Sequence, residues 1–371
     1  MVKKVTFECE VITPMFMAGA DGSTPELRPS EFKGMIRFWW RAAKAMDNIP
    51  ELRRKEAGIF GGTGEGEGKS KILFKLRYDK HKLKKSGIGT NLKNDYSLNW
   101  AYDRKEKKLT GEHIGIGYLL YSTVLPRRER KYIRPGLTFN IEILSDDEKA
   151  FSETLASFWL SIYLGGFGTR SRRGGGNLNV IKSEGEIKED LNFIVSANNK
   201  EELSEWLKSN IKKAKSLINP VSSKTYKYTN LSVIRLFIFS PQKSWIQALE
   251  LIGEKFKEFR EKNKHYIFET AAFGMPIMHG GFSTRIVPYK DTKQMLSDRW
   301  ASPLIIKVIK SKDLYFPILI KLRNNFDSEV FVGKEKREER EWSLEKIVKI
   351  NSNKIEEFIK SIKSEALEVS G

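Results

Sequence analysis

Apolar and polar positions along this chain follow either a strand-like or a helix-like period over most of its length. Residues 2–13 (VKKVTFECEVIT) alternate in part and predict a strand, followed by a loop rich in Gly, Pro and Asp over 14–29. Over 30–46, Phe32, Ile36, Trp39 and Ala43 recur every three or four residues and form one apolar helix face, with Ser30 as N-cap after Pro29. A glycine-rich loop at 61–68 leads into a strand at 71–78, and residues 80–112 form a long polar, basic excursion. Strands are predicted at 115–124 and 136–144. A helix at 147–164 carries Phe151, Leu155, Phe158 and Ile162 on one face, and a loop at 165–176 precedes a short strand (NLNVIKS). A short helix is expected at 200–217. The second half reads as a strand at 232–240, a helix at 242–262, strands at 302–310 and 315–322, and a helix at 343–368. The mixed-charge stretch KEKREEREW (334–342) reads as a solvated turn or helix face.

The first-half order of strand, helix, strands, helix, strand is the split βαβ arrangement, an antiparallel sheet backed by two helices. A length of 371 residues suits two units of ordinary size, expected at 1–190 and 225–371, with 191–224 as a connecting helix and linker. Two segments echo each other, GGFGTR at 165–170 and GGFSTR at 280–285, which hints at duplication.

Composition narrows the partner. Sixty-six basic residues stand against 47 acidic ones, a net charge of +19. Such a charge costs self-repulsion and points to a polyanion, most commonly nucleic acid. An anionic membrane surface is the rival, but no stretch approaches the roughly 18 apolar residues of a spanning helix. Glu8 and Glu10 interrupt the N-terminal apolar run, which disqualifies it as a signal-peptide core. Cys9 is the single cysteine, so an intramolecular disulfide is excluded and a cytoplasmic setting is expected. About 40% of the residues are hydrophobic, enough to exclude global disorder.

Four constellations are candidates for chemistry. Lys33, Arg37, Arg41 and Lys44 are spaced four, four and three apart, so they share one face of the 30–46 helix and could follow a phosphate backbone. The ordinary alternative, a solvated basic face, has about equal weight. Trp40, beside the core residue Trp39, is a candidate base-stacking platform, with core edge as the plainer assignment. The loop GGFGTRSRRGGGN (165–177) surrounds Arg170, Arg172 and Arg173 with six glycines. Its exposed amides around Gly166, Gly168 and Gly174 could form an anion nest while the guanidinium forks bind phosphate. GKS at 68–70 invites a nucleotide-binding reading. It is rejected because position 63 is Thr and a strand, not a helix, follows. The histidines, His81, His113, His265 and His279, have no metal-ligand spacing, so neither a metal nor a cofactor is expected. His279 near Arg285, and Asp21 in the loop after the first strand, keep metal-independent RNA cleavage open as an alternative. A loop or core-edge histidine and a turn-forming aspartate are the plainer assignments.

The string ELRPSEFKGMIRFWWRAAKA (26–45), IFGG (59–62) and the glycine loop together resemble the RAMP superfamily of CRISPR-associated proteins. That superfamily shares a glycine loop matched here by Gly166-Phe167-Gly168, five residues, then Gly174-Gly175-Gly176, departing at Gly175 where an apolar residue is the rule. The stretch Arg28 to Arg41, with FGMPI (273–277) and RWASPLIIK (299–307), resembles more specifically the first-subunit family of the Cmr, type III-B, effector. This resemblance implies an α+β protein of two ferredoxin-like (βαββαβ, RRM-like) domains with insertions. It implies a non-catalytic RNA-binding subunit in antiviral defence that contacts the 3′ end of the guide or the target RNA and neighbouring Cmr subunits. DNA is not expected as the main ligand. Carried over by position, the RNA-contacting residues would be Arg37, Arg41 and Lys44 on the helix and Arg170, Arg172 and Arg173 in the loop, with Arg285 and Arg299 in the second half.

Overall fold

The computed structural model describes residues 2–370 apart from 104, 107, 125–128, 186, 188–190, 222–226, 280–282, 328 and 340. In chain order its main elements are β1 (Lys3–Val11), α1 (Pro29–Lys44), α2 (Ile49–Phe60), β2 (Leu73–Arg77), β3 (Thr138–Ser145), α3 (Glu148–Tyr163), β4 (Leu178–Gly185) and α4 (Lys200–Ile218). The second half contributes β5 (Asn230–Phe239), α5 (Trp245–Lys262), β6 (Ile277–His279), β7 (Thr284–Tyr289), β8 (Leu304–Ser311), β9 (Leu314–Arg323), β10 (Val330–Glu338), β11 (Glu341–Ile350), α6 (Asn353–Ile362) and β12 (Ala366–Ser370).

The first sheet runs β2-β3-β1-β4 and the second β8-β9-β5-β12, both antiparallel throughout. Each is a βαββαβ unit with its first strand in the interior of the sheet, so the chain is α+β and ferredoxin-like twice over. A third antiparallel sheet, β6-β7-β10-β11, is inserted within the second unit.

The two sheets bury different amounts of themselves. In β1 only alternate residues (Val5, Phe7, Cys9, Val11) are buried, the mark of a sheet with one face in the core. In β8 seven of eight residues are buried, because both faces are covered. Ile305 and Ile309 pack into the same core as Trp39, Trp159 and Leu207. Leu304, Ile306 and Val308 pack instead with Phe256 and Phe358 of α5 and α6. Helices α1, α3 and α4 therefore lie between the sheets, and α5 and α6 cover the far side of the second sheet.

Burial on both faces traps Lys307, whose side chain is fully buried. Its ammonium donates to the Ile162 and Gly165 carbonyls at the C-terminal end of α3, 2.9 Å to the latter, where a helix concentrates negative charge. Burial pushes its pKa well down. Cys9 is equally enclosed, and burial raises its thiol pKa far above the ordinary value. The native protein should therefore be inert to Ellman's reagent and titrate a single thiol only in denaturant, since the thiolate is the reacting species. Native reactivity would show that β1 opens readily.

Two expectations fail locally. The strand predicted at 115–124 is a short helix, Ile114–Leu119, followed by a 3-10 turn. The Glu250 carboxylate of α5 accepts from the amides of Gly115 (2.7 Å) and Ile116 (2.9 Å), capping this helix from across the fold. A Cβ on Gly115 would lie 2.6 Å from the Glu250 carbonyl oxygen, so the helices approach backbone to backbone. The long helix predicted at 343–368 is strand β11, helix α6 and strand β12, and KEKREEREW is the far end of the β10–β11 hairpin. Residues 191–221 join the units, but Leu191, Phe193 and the α4 residues Leu203, Leu207 and Ile211 are buried in the first core, so this connection is packed.

Candidate nucleic-acid interface

Helix α1 presents its apolar face as its spacing predicts, with Phe32, Ile36 and Trp39 buried. Its cations do not form one strip. Arg37 and Arg41 both reach the buried carboxylate of Glu56 on α2, which holds their guanidinium groups side by side on the surface. Lys44 turns inward and donates to the Ile218 and Asn219 carbonyls (both 2.8 Å), capping the C-terminus of α4, and burial lowers its pKa. Trp40 is buried and its indole N–H donates to Glu153 at 2.6 Å. Neither Lys44 nor Trp40 can touch RNA, because an orphaned helix end and a buried carboxylate claim them first. Lys33 is half-buried toward the other end of α1 and does not line the groove described below.

The glycine loop is packed into the protein rather than standing free on the surface. Several of its amides are spent on protein carbonyls: Phe167 on Gly176 (2.9 Å), Thr169 on Phe16 (2.9 Å), Arg173 on Arg170 (2.7 Å) and Gly176 on Pro14 (2.9 Å). Gly166, Gly168 and Gly174 serve close packing, since an added Cβ would meet the Gly175 carbonyl oxygen at 2.8 Å, that of Phe16 at 2.6 Å and the Leu249 side chain at 2.3 Å. The loop pairs with the second sheet, the Ile306 amide donating to the Arg172 carbonyl at 3.1 Å. Arg172 donates to the Ser302 carbonyl and lies over the Phe38 ring, 5.2 Å from its centroid. Arg173 donates to the Phe273 carbonyl at 2.6 Å and covers the Phe256 ring at 4.9 Å. Burial lowers both guanidinium pKa values, yet both stay charged at neutral pH. Arg173 therefore ties the two halves together.

Arg285 is likewise claimed, by Glu335 at 2.6 Å and Asp298 at 3.4 Å, with its guanidinium stacked on Trp342. Asp21 closes its own turn: its carboxylate accepts from the Ser23 amide at 3.0 Å and the Thr24 amide at 2.9 Å. Those bonds and the Thr24 hydroxyl hold its pKa well below the usual range, which makes it a poor general base. His279 ends β6 opposite Thr284, and its side chain lies outside the described residues, as do residues 280–282 of the second GGFSTR echo. Among the described residues no group of three or more His, Cys, Asp or Glu is placed to hold a metal. None of the described helices is long and apolar enough to cross a membrane.

What the structure does bring together is a groove of about 550 Å³. Arg41 of α1, Arg53 of α2, Arg172 of the glycine loop, and Lys227 and Arg299 of the second half all line it, with Phe38, Tyr228 and Trp300 between them and no carboxylate in the lining. Arg53 and Arg299 are exposed and have no acidic partner among the described residues. The Tyr228 hydroxyl is anchored on the backbone of Met46, donating to its carbonyl at 3.0 Å, so that wall is fixed. Three predicted residues thus converge (Arg41, Arg172, Arg299), while Arg53 and Lys227 escaped the sequence reading. The missed signal for Arg53 was helix α2, whose Asn48 cap accepts from the Glu51 amide at 3.1 Å just ahead of Pro50.

Two βαββαβ units locked by a glycine loop define a class, and a sequence comparison agrees: the chain matches the RAMP superfamily over residues 8–179. The CRISPR system Cmr subunit Cmr1-2 of Pyrococcus furiosus is 35% identical over 188 residues, 47% of this chain and 93% of that protein. Subunit Cmr1-1 of the same organism is 27% identical over 282 residues, 73% of this chain and 76% of that one. The crystal structure of apo Cmr1 from P. furiosus superposes over 99% of this chain and 98% of its own, with a TM-score of 0.60 at 20% identity, and so shares the fold. The chain belongs to the RAMP superfamily and, within it, to the Cmr1 subunits of CRISPR systems.

Proposed function

We propose that this chain is a non-cleaving RNA-binding subunit of a type III-B CRISPR (Cmr) effector, and that the phosphates of guide or target RNA lie in the groove between the two units. The observation that carries this reading is the convergence of five cations on one groove, from elements far apart in sequence, with no carboxylate among its described lining residues and with Arg41 tied to a buried acid behind it. Arg53 and Arg299, exposed and with no acidic partner among the described residues, are the electrostatic footprint of a phosphate backbone, and a net charge of +19 adds long-range attraction. Aromatic side chains between the arginines suit exposed bases better than a closed duplex groove. The reading includes the guide 3′ end as the contacted region, other Cmr subunits as neighbours, a cytoplasmic setting, and units bounded near 190 and 225. Arg41, Arg53, Arg172, Lys227 and Arg299 would position the strand, with little base readout.

Fluorescence anisotropy with the isolated protein and a labelled single-stranded RNA tests it. Affinity should fall linearly in log–log form with salt, by about 0.7 in slope for each phosphate neutralised. Absence of binding at low salt by folded protein would move the charge to assembly with other subunits. Discrete cleavage products in EDTA would overturn the non-cleaving part.

A further inference from the structure

Arg172 lines the groove, but Arg170 and Arg173 line a different cavity of about 750 Å³, which shares Tyr102, Leu109 and Tyr121 with an adjoining one of about 660 Å³. Three large aromatic side chains are strongly exposed among the described residues, and two of them are Tyr102 (59%) and Tyr121 (45%). The third, Tyr266, is covered by the Lys354 ammonium 4.2 Å from its ring centroid. A half-exposed tyrosine ring leaves much of its apolar area in water, and a pair of them on one cavity offers a surface that a flat ligand could cover.

The surroundings say by what. Arg170 holds a left-handed backbone (φ 65), rare for a residue with a Cβ, and its carbonyl is pinned by the amides of Arg173 (2.7 Å) and Gly175 (3.1 Å). The side chain is thereby sent toward the tyrosines, where its Nε donates to the Ser122 hydroxyl at 2.9 Å. No carboxylate binds its guanidinium among the described residues. Arg130, anchored on the Thr169 hydroxyl at 3.2 Å, adds charge nearby, while the exposed Lys108 lies 3.8 Å from Glu106. The one acid lining the larger cavity, Glu261, is already paired with Lys257 at 3.0 Å, and the adjoining cavity is lined by one acid, Glu129. Flat exposed rings beside unpaired guanidinium fit a flexible polyanion with π faces. An acidic peptide would leave the rings unused.

We propose that Tyr102, Tyr121 and Arg170 form a second RNA contact, separate from the groove, in which one or two unpaired bases stack on the tyrosines and the adjoining phosphate meets Arg170. This rests on the reading of the chain as an RNA-binding subunit. Stacking requires bases free of a helix, so the site selects single-stranded RNA over duplex.

The test uses the full chain and single-stranded RNA carrying 2-aminopurine, whose fluorescence falls on stacking, beside a duplex of the same length. Tyr102→Ala/Tyr121→Ala should lose the fluorescence drop and bind the single strand about 10-fold more weakly. The duplex affinity and the melting temperature should be unchanged, since both rings are exposed. Tyr102→Phe/Tyr121→Phe should behave as wild type, because stacking needs the ring and not the hydroxyl. An alanine double variant that binds and quenches like wild type overturns the inference alone, provided Arg53→Glu/Arg299→Glu still weakens binding. A wild-type protein that binds no RNA at low salt overturns both readings together.

Discussion

Replacing Arg53 and Arg299 together by glutamate should weaken binding of single-stranded RNA about 100-fold at low salt, while the melting temperature stays within about 1 °C of wild type. Each arginine loses a charge-assisted contact worth ~1.5 kcal/mol, and two such losses give roughly that factor. Two phosphate contacts removed should also flatten the log–log salt slope by about 1.4 units. The stability half of the expectation rests on exposure: neither side chain has an acidic partner among the described residues, and surface substitutions of this kind shift stability by about 0.5 kcal/mol or less. Anisotropy over a salt series, with a thermal melt of each protein, measures both halves. Unchanged affinity and slope in a folded variant would remove the groove from the RNA path. These two residues are a cleaner probe than the arginines of the glycine loop. Replacing Arg172 and Arg173 by alanine would leave the carbonyls of Ser302 and Phe273 without their donors and loosen the tie between the units, so lost binding would be inseparable from lost structure.

The largest loss of stability is expected from Gly176→Ala, at about 3 kcal/mol or more. Gly176 has φ 62, where any side chain costs ~1 kcal/mol, and a Cβ there would sit 1.9 Å from the Phe167 carbonyl oxygen. Relief would strain two bonds, Phe167 N–H to the Gly176 carbonyl (2.9 Å) and Gly176 N–H to the Pro14 carbonyl (2.9 Å), each worth ~1 kcal/mol. Gly34→Ala is the informative contrast. Gly34 lies in α1 with open space where a Cβ would go, so the same substitution should stabilise by about 0.5–1 kcal/mol through helix propensity. Urea midpoints at constant m-value read both. A Gly176→Ala protein as stable as wild type would show that the loop yields easily and does not lock the two units.

The elements were legible wherever period and caps agreed. Helix α1 is expected at 30–46 and lies at Pro29–Lys44, α3 at 147–164 and lies at Glu148–Tyr163, and seven of the eight strands of the two ferredoxin-like sheets lie within a few residues of their predicted runs, the exception being β12, read as helix. The misreadings share a cause. Ile114–Leu119 is helical because Glu250, far along the chain, caps it, and EWSLEKIVKI suits either period until β10 pairs with it. Tertiary contact decided both.

Sequence by itself determined the class of this protein: βαββαβ order, an excess of basic residues, a helix and a glycine loop of RAMP type. It could not say which arginines are free. Arg37 and Arg173, Lys44 and Arg285 look alike as letters. Only the tertiary structure spends some of them on a buried carboxylate, a helix end or a backbone carbonyl and leaves Arg53, Arg170 and Arg299 without an acid among the described residues. The physical reason is that a cation takes the nearest unsatisfied acceptor during folding, and that acceptor is set by packing between distant segments. What remains unpaired on the surface keeps its charge exposed to solvent and to any polyanionic partner.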